Sequence, residues 1–284
     1  MKFGINVFLW TADFQPRHLD LLPAIREHGF DGVEIFVAEP GRLPAAEIRR
    51  GLEHAGLEAT FCTALGAGQN LAAADPAARR KTREHVADCI KTVAEAGGHI
   101  FAGPVYTPLG EKPGRRTPDE WARVVEELQA LGETLAANDV TLCLEPVNRF
   151  ETHFLNTAAD AVRLVEEVGH ERVGILFDTF HANIEEKDVA AAYRHCGSHL
   201  KHVHVSENDR GTPGTGHVDW TGVFAAIKDL HYDGWVTIES FGGHLKEIAA
   251  AACIWRDLAS PTESIAWDGI KFLRANLPEM ERGT

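Results

Sequence analysis

The chain has 284 residues, 44% of them hydrophobic and 25% charged, which is the size of a single (β/α)8 domain and enough to bury a core without disulfides. Its formal net charge of −14 speaks against a nucleic-acid partner, which would need a basic surface. Five cysteines, an odd number with no C-x-x-C pair, fit a reducing compartment, so the cytoplasm is the expected location.

Met1–Trp10 is apolar but short and lacks a small-residue cleavage site, so it reads as a first strand, Phe3–Phe8, and not as a signal peptide. The run that follows, Trp10-Thr-Ala-Asp-Phe-Gln-Pro16, has none of the glycines of a phosphate loop. From there strand and helix patterns alternate. Helices are expected over Arg17–His28, Pro44–Ala55, Pro76–Ala96, Pro118–Asn138, Ala158–Val168, Asp188–Cys196 and Thr221–Leu230. Strands are expected over Gly32–Phe36, Glu58–Thr63, His99–Ala102, Thr141–Glu145, Val173–Asp178, Leu200–Ser206 and Trp235–Ser240. Asp75 before Pro76, and Thr117 before Pro118 with Glu120 behind it, are helix caps. Gly29, Gly56, Gly97 and Gly169 are helix stops. Beyond Gly243 the chain reads as helical, broken at Ser260-Pro261, with a polar tail over Glu279–Thr284.

Eight strands spaced by helices imply parallel pairing through right-handed crossovers, hence a closed (β/α)8 TIM barrel in one domain, residues 1–284. No run of about 18 apolar residues occurs, so no membrane span is expected. The loops 103–116 and 207–217 are candidate lids or substrate walls.

Four ligand-type side chains end four successive strands: Glu145, Asp178, His204 and Glu239. In a barrel those ends share one mouth. Three buried carboxylates together would be costly without a cation. Three oxygen donors and an imidazole suit Mn²⁺, Co²⁺ or Mg²⁺. His202, one layer below His204, reads as a packed core histidine. Glu34, at the end of strand two, either reaches the mouth or is structural. Glu151, His181 and Arg210 follow the ligands by six, three and six residues and make a rim suited to a polyhydroxylated molecule. Cys62 ends strand three and is placed at the pocket or in the core. Glu145 and Glu239, on strands five and eight, can flank a substrate. One would take a proton from a carbon beside a ketone and the other return one from the far side, through an enediolate. No nucleotide cofactor is needed, and no dinucleotide fingerprint is present.

The segments Leu144-Glu-Pro-Val-Asn-Arg-Phe-Glu151, Phe177-Asp-Thr-Phe-His181, His202-Val-His-Val-Ser-Glu-Asn-Asp-Arg210, Pro213-Gly-Thr-Gly-His217, Ile238-Glu-Ser-Phe241 and Ile254-Trp-Arg-Asp-Leu258 resemble the D-tagatose and D-allulose (psicose) 3-epimerases, ketose 3-epimerases of the xylose-isomerase-like superfamily. The resemblance implies Mn²⁺ or Co²⁺ on Glu145, Asp178, His204 and Glu239, with Glu145 and Glu239 as the acid/base pair. It implies Glu151, His181 and Arg210 at the O1–O3 end of a ketose, with Phe241, Cys62 and Gly103 against the sugar. It also implies a homodimer or homotetramer. The strand-four loop Pro104–Gly110 departs from the family's Trp-containing version. Rivals on the same barrel are a hydroxypyruvate-isomerase-type aldose–ketose isomerase and an inosose dehydratase. A multi-metal apurinic endonuclease fits the acidic charge poorly, and a non-catalytic binder would need no acid/base pair.

Overall fold

Most of the eight apolar runs carry β-branched or aromatic residues and have glycine, proline or an acidic residue at or beside one end, so they extend and then stop. The strands of the computed structural model, which describes residues 1–277, are β1 (Lys2–Asn6), β2 (Gly32–Phe36), β3 (Glu58–Cys62), β4 (Ile100–Gly103), β5 (Thr141–Leu144), β6 (Val173–Asp178), β7 (Leu200–Val205) and β8 (Trp235–Ile238). All neighbours pair in parallel, and β8 pairs back onto β1 through Lys2↔Trp235 and Gly4↔Thr237 to close the barrel. The expected strands are therefore all present, with ends moved by one or two residues. The expected tail Glu279–Thr284 lies outside the described residues.

Alternation along the strands divides the apolar from the polar. Phe3, Ile5, Val33, Ile35, Phe61, Phe101, Leu142, Leu144, Ile175, Phe177, Val203, Val205, Val236 and Ile238 belong to one continuous core with the helices. Each side chain of this size contributes roughly 1.5–3 kcal/mol by leaving water. The other face of β1, β2, β3 and β7 points into the barrel with Asn6, Glu34, Thr60, His202 and His204, all fully or almost fully buried. A separate small apolar group, Ala102, Cys143 and Leu176, occupies inward-facing positions of β4, β5 and β6.

The principal helices are α1 (Leu22–Glu27), α2 (Ala45–Ala55), α3 (Pro76–Glu95), α4 (Pro118–Gln129), α5 (Gly132–Asn138), α6 (Ala158–Val168), α7 (Thr179–Glu185), α8 (Val189–Cys196), α9 (Trp220–Asp229), α10 (Lys246–Ala251) and α11 (Ser264–Asn276). The Asp75 cap receives the Ala77 amide, and Thr117 and Glu120 cap each other's backbone amides. Gly29, Gly56, Gly97 and Gly169 have positive φ, as helix stops require.

Three differences from the sequence reading have local causes. The helix expected over Pro118–Asn138 is broken between Gln129 and Gly132, where glycine weakens the interior. The first half of Arg17–His28 is a 3₁₀ turn, Pro16–Leu21. The expected C-terminal helix is two helices separated by irregular chain over 252–263, with Cys253 in the left-handed region at φ +56°. Proline at 261 cannot donate to a helix ladder. No described helix is long and apolar enough to cross a membrane. All five cysteines are unpaired, four of them buried and Cys253 exposed.

Candidate metal and substrate site

The mouth is built by strand ends. Asp178 is the last residue of β6 and also caps α7, accepting the Phe180 amide at 2.9 Å. His204 lies within β7, while Glu145 and Glu239 directly follow β5 and β8. Each offers an oxygen or nitrogen, and these atoms all lie within 4.8 Å of one another. All four residues are buried. Glu145 Oε1 and His204 Nδ1 are buried without a hydrogen-bond partner, a state that costs free energy unless something supplies the missing contact. Orphaned donor atoms among three carboxylates and one imidazole fit a divalent cation of the Mn²⁺, Co²⁺ or Mg²⁺ kind.

Arg210 is the cation already present. Its Nη1 donates to Asp178 Oδ2 at 2.6 Å and to Glu239 Oε2 at 2.7 Å. Phe180 and Phe241 hold the guanidinium, 4.0 and 5.2 Å from their ring centroids. Arg210 itself sits at φ +67°, in a loop wound around a buried carboxylate. Glu207 accepts the amides of Gly214 at 2.9 Å and Val218 at 3.0 Å, and the Trp220 indole N–H at 2.9 Å. A side chain on Gly216 would collide with Glu207 and Asn208, so the glycine-rich run 211–216 is the winding of this loop and not a phosphate cradle.

The two acid/base candidates are electrostatically unlike. Burial and the neighbouring Glu239 push the Glu145 carboxyl well above the usual range, only partly offset by His204. Burial also acts upward on Glu239, but Arg210 and His204 outweigh it and hold this carboxyl below its usual value. The cavity thus contains one carboxyl biased toward neutral and one toward ionised, which is the starting state of an acid/base pair. His181 is pushed well below its usual value by burial and by Arg210. Its Nδ1 accepts the Asn148 amide at 3.1 Å, and Arg210 Nη2 lies 3.2 Å from its Nε2. Nε2 also faces Glu145 Oε1 at 3.6 Å and Asp178 Oδ2 at 3.8 Å.

A cavity of about 190 Å³ opens above this floor. Every site residue expected from the sequence lines it except Asp178, which lies behind Arg210. Glu151 reaches it with its carboxylate held by Asn148 Nδ2 at 2.7 Å. Gly103 must be glycine: its φ is +129°, and a Cβ would overlap the Thr63 carbonyl. Of the two loops expected as lids or walls, 103–116 lines the cavity with Gly103, Pro104 and Leu109, and 207–217 with Arg210. Val105, Tyr106 and Thr107 are buried, Tyr106 donates its hydroxyl to the Glu145 carbonyl at 2.8 Å, and Leu109 and Gly110 bond to the Leu65 and Glu151 carbonyls. The exposed portion of the 103–116 loop begins after Leu109.

Sequence reasoning missed the apolar wall. Phe8, Phe36, Leu109, Phe180, the α10 side chains Ile248 and Ala251, and Ala252 just after it line the cavity beside the polar cluster. Phe8 stacks on Phe241 at 5.5 Å. An aromatic two residues past Asn6 in β1 and one at the end of β2 were the available signals; α10 had none. The role of Glu34 was left open, and the structure places it below the mouth, with Oε2 2.7 Å from His202 Nε2 and Oε1 2.7 Å from His204 Nε2. His202 is packed and fully buried, as read from the sequence.

The sequence pattern of the family described as the xylose isomerase-like TIM barrel matches residues 22–276. A probable ketose 3-epimerase of Synechocystis is 36% identical, covering 96% of each chain. The L-ribulose 3-epimerase of Mesorhizobium japonicum is 31% identical over 99% of this chain and 96% of its own. The crystal structure of a Methylomonas D-allulose 3-epimerase in complex with D-allulose superposes with a TM-score of 0.92, at 29% identity and 97% coverage of both chains.

Proposed function

We propose that this chain, which belongs to the xylose isomerase-like TIM barrel family and within it to the ketose 3-epimerases, inverts C3 of free ketoses: D-fructose and D-allulose, D-tagatose and D-sorbose, and L-ribulose and L-xylulose. The observation that carries the reading is the pair Glu145 and Glu239, which follow β5 and β8 and line the same cavity of about 190 Å³. Glu145, Asp178, His204 and Glu239 would hold a divalent cation, Mn²⁺ first among the candidates. Such an ion, when bound, polarises a carbonyl and an adjacent hydroxyl and so acidifies the C–H between them.

The chain's own residues do the rest. Glu239, ionised by Arg210 and His204, takes the C3 proton, and the C–H electron pair moves to C2 as the enediolate forms. Glu145, on the opposite side, delivers a proton to the other face of C3. Exchange with water then restores the starting state, and the reverse reaction runs with the roles exchanged. Arg210, His181 and the Glu151 carboxylate bind and orient the O1–O3 end. Phe241, Cys62, Gly103 and the apolar wall take the remainder of the sugar and exclude water. A homodimer or homotetramer belongs to the same proposal, supported by Trp255 and Phe150, which stay 76% and 65% exposed on loops beyond strand ends. Five unpaired thiols support a reducing, cytoplasmic setting.

The test incubates metal-stripped protein with D-fructose, D-tagatose and L-ribulose, with and without Mn²⁺, and separates the sugars by chromatography. Metal-dependent D-allulose, D-sorbose or L-xylulose is the expected result. An aldose, or loss of water, in place of a new ketose would refute C3 inversion.

A further inference from the structure

Directly beneath the metal cluster lies a carboxylate that the mechanism above does not use. Glu34, on β2, is completely buried, and four polar groups from three other strands surround it. Oε1 accepts Asn6 Nδ2 at 3.0 Å and Oε2 accepts Thr60 Oγ1 at 2.9 Å. The same two oxygens lie 2.7 Å from His204 Nε2 and from His202 Nε2, respectively. The His204 contact is close, but its N–H points off the ideal line. Asn6 is in turn fixed, because its Oδ1 accepts the Phe8 amide at 3.0 Å.

We infer that Glu34 is a positioning residue that pins His204 by its Nε2 edge, so that Nδ1 is the atom presented to a divalent cation. The inference rests on the metal reading above and deepens it. An imidazole has two nitrogens, and which one binds metal is set by what holds the other. In His204 neither ring nitrogen makes a well-aligned hydrogen bond, but Nε2 lies 2.7 Å from Glu34 Oε1, whereas Nδ1 is turned toward the cluster, 3.5 Å from Glu239 Oε1. His202 completes the device. It engages Oε2 and packs edge-on against His204 with ring centroids 5.0 Å apart, which leaves Oε1 to the ligand ring. Asn6 and Thr60 fix the plane of the carboxylate from strands on either side of β2. A compact ion within the Glu34–His202–His204 group is the poorer reading, since both imidazole contacts at 2.7 Å have the length of hydrogen bonds.

The experiment titrates Mn²⁺ into metal-free wild type, Glu34→Gln and Glu34→Asp, reading free Mn²⁺ by electron paramagnetic resonance. The Tm of each metal-free protein and the visible spectrum of each Co²⁺ form are recorded beside it. Gln keeps the shape but loses the charge and one acceptor. Asp keeps the charge but withdraws it by a methylene. Both variants are expected to bind Mn²⁺ about 10–100-fold more weakly and to change the Co²⁺ spectrum. Should Glu34→Gln not fold, Glu34→Asp decides. A lowered Tm with Mn²⁺ affinity within twofold of wild type and an unaltered Co²⁺ spectrum would overturn the inference, because a purely structural Glu34 gives that result. Wild type that binds no divalent metal would instead defeat the metal site itself, and the two failures are told apart by the wild-type titration alone.

Discussion

Glu239→Gln separates the two halves of the proposed inversion. The amide keeps an oxygen for Arg210 and for a cation but cannot accept a proton from carbon. Arg210 retains its 2.6 Å bond to Asp178, so on the Arg210 side the effect on binding is one weakened charge-assisted bond, worth about 1.5–3 kcal/mol, beside the loss of one charged ligand for the cation. The loss in turnover is larger. General acid–base catalysis contributes roughly 10²–10⁴-fold, or about 2.7–5.5 kcal/mol at ~1.36 kcal/mol per decade. Glu145 remains intact on the other side. The C3 hydrogen of one epimer should therefore still exchange with deuterium in D₂O, while the other epimer neither exchanges nor epimerises. Glu145→Gln should reverse which epimer exchanges. The assay is ¹H NMR of each sugar of a pair incubated separately in D₂O. Equal exchange of both epimers, or turnover within a few-fold of wild type, would refute the two-carboxylate mechanism.

Other expectations concern metal, acid and thiols. Chelation should abolish activity, and Mn²⁺ at about 100 times its Kd should add about 2.7 kcal/mol of stability, seen as a rise in Tm of roughly 5–10 °C by calorimetry. A Tm indifferent to metal would count against the site. Burial raises the Glu207 carboxyl, but the Val218 and Asn208 amides and the Trp220 indole outweigh it and hold it low. Because the folded value lies below the unfolded one, its contribution is complete above about pH 4.3 and is lost as pH falls through the folded value. Glu207→Gln should cost about 2–4 kcal/mol at neutral pH, by leaving two donors facing an amide nitrogen, and should flatten acid unfolding; an unchanged acid limb in denaturation curves would contradict this. Burial, with Glu34 and Glu239 adding to it, pushes the Cys62 thiol well above the usual range, while Cys253 is exposed. Iodoacetamide should therefore label Cys253 in the native protein and spare Cys62, as read by mass spectrometry; rapid labelling of Cys62 would mean that the cavity wall opens. Gly103→Ala should lower Tm and kcat together, since Cβ has no room against the Thr63 carbonyl; an unperturbed Tm would show that this wall is soft.

The barrel was legible because its signals are local. Strand runs such as Val173–Asp178 and helix stops such as Gly169 need only their own neighbours to be read. The convergence of Glu145, Asp178, His204 and Glu239 follows from the same reading, since a closed parallel barrel brings every strand end to one mouth. What stayed hidden depends on distant partners. The α10 wall is made of alanines and one isoleucine, with no composition to mark them as cavity-facing. The break between α4 and α5 falls beside Gly132, a weak local signal inside a run with an otherwise continuous helical period.

Glu34 shows most clearly where a single sequence runs out. On the chain it is one acid in an apolar strand, separated by 168 residues from His202, and nothing nearby distinguishes a ligand from a support. Only closure of the barrel sets β2 facing β7 across the interior, and only then does the chemistry separate the acids into two layers. The upper layer keeps orphaned atoms, Glu145 Oε1 and His204 Nδ1. In the lower layer both Glu34 oxygens have partners, whose hydrogen bonds come from Asn6, Thr60 and His202. A buried carboxylate with both oxygens engaged is held in place, whereas the Glu145 oxygen left without a partner among other acids has room for a cation. The same test applied along the mouth separates Arg210, whose guanidinium bonds to Asp178 and Glu239 within the cavity, from Glu207, which is saturated by its own loop. Arg210 thus makes its bonds on the cavity side, whereas Glu207 cannot be altered without unwinding the loop that carries Arg210.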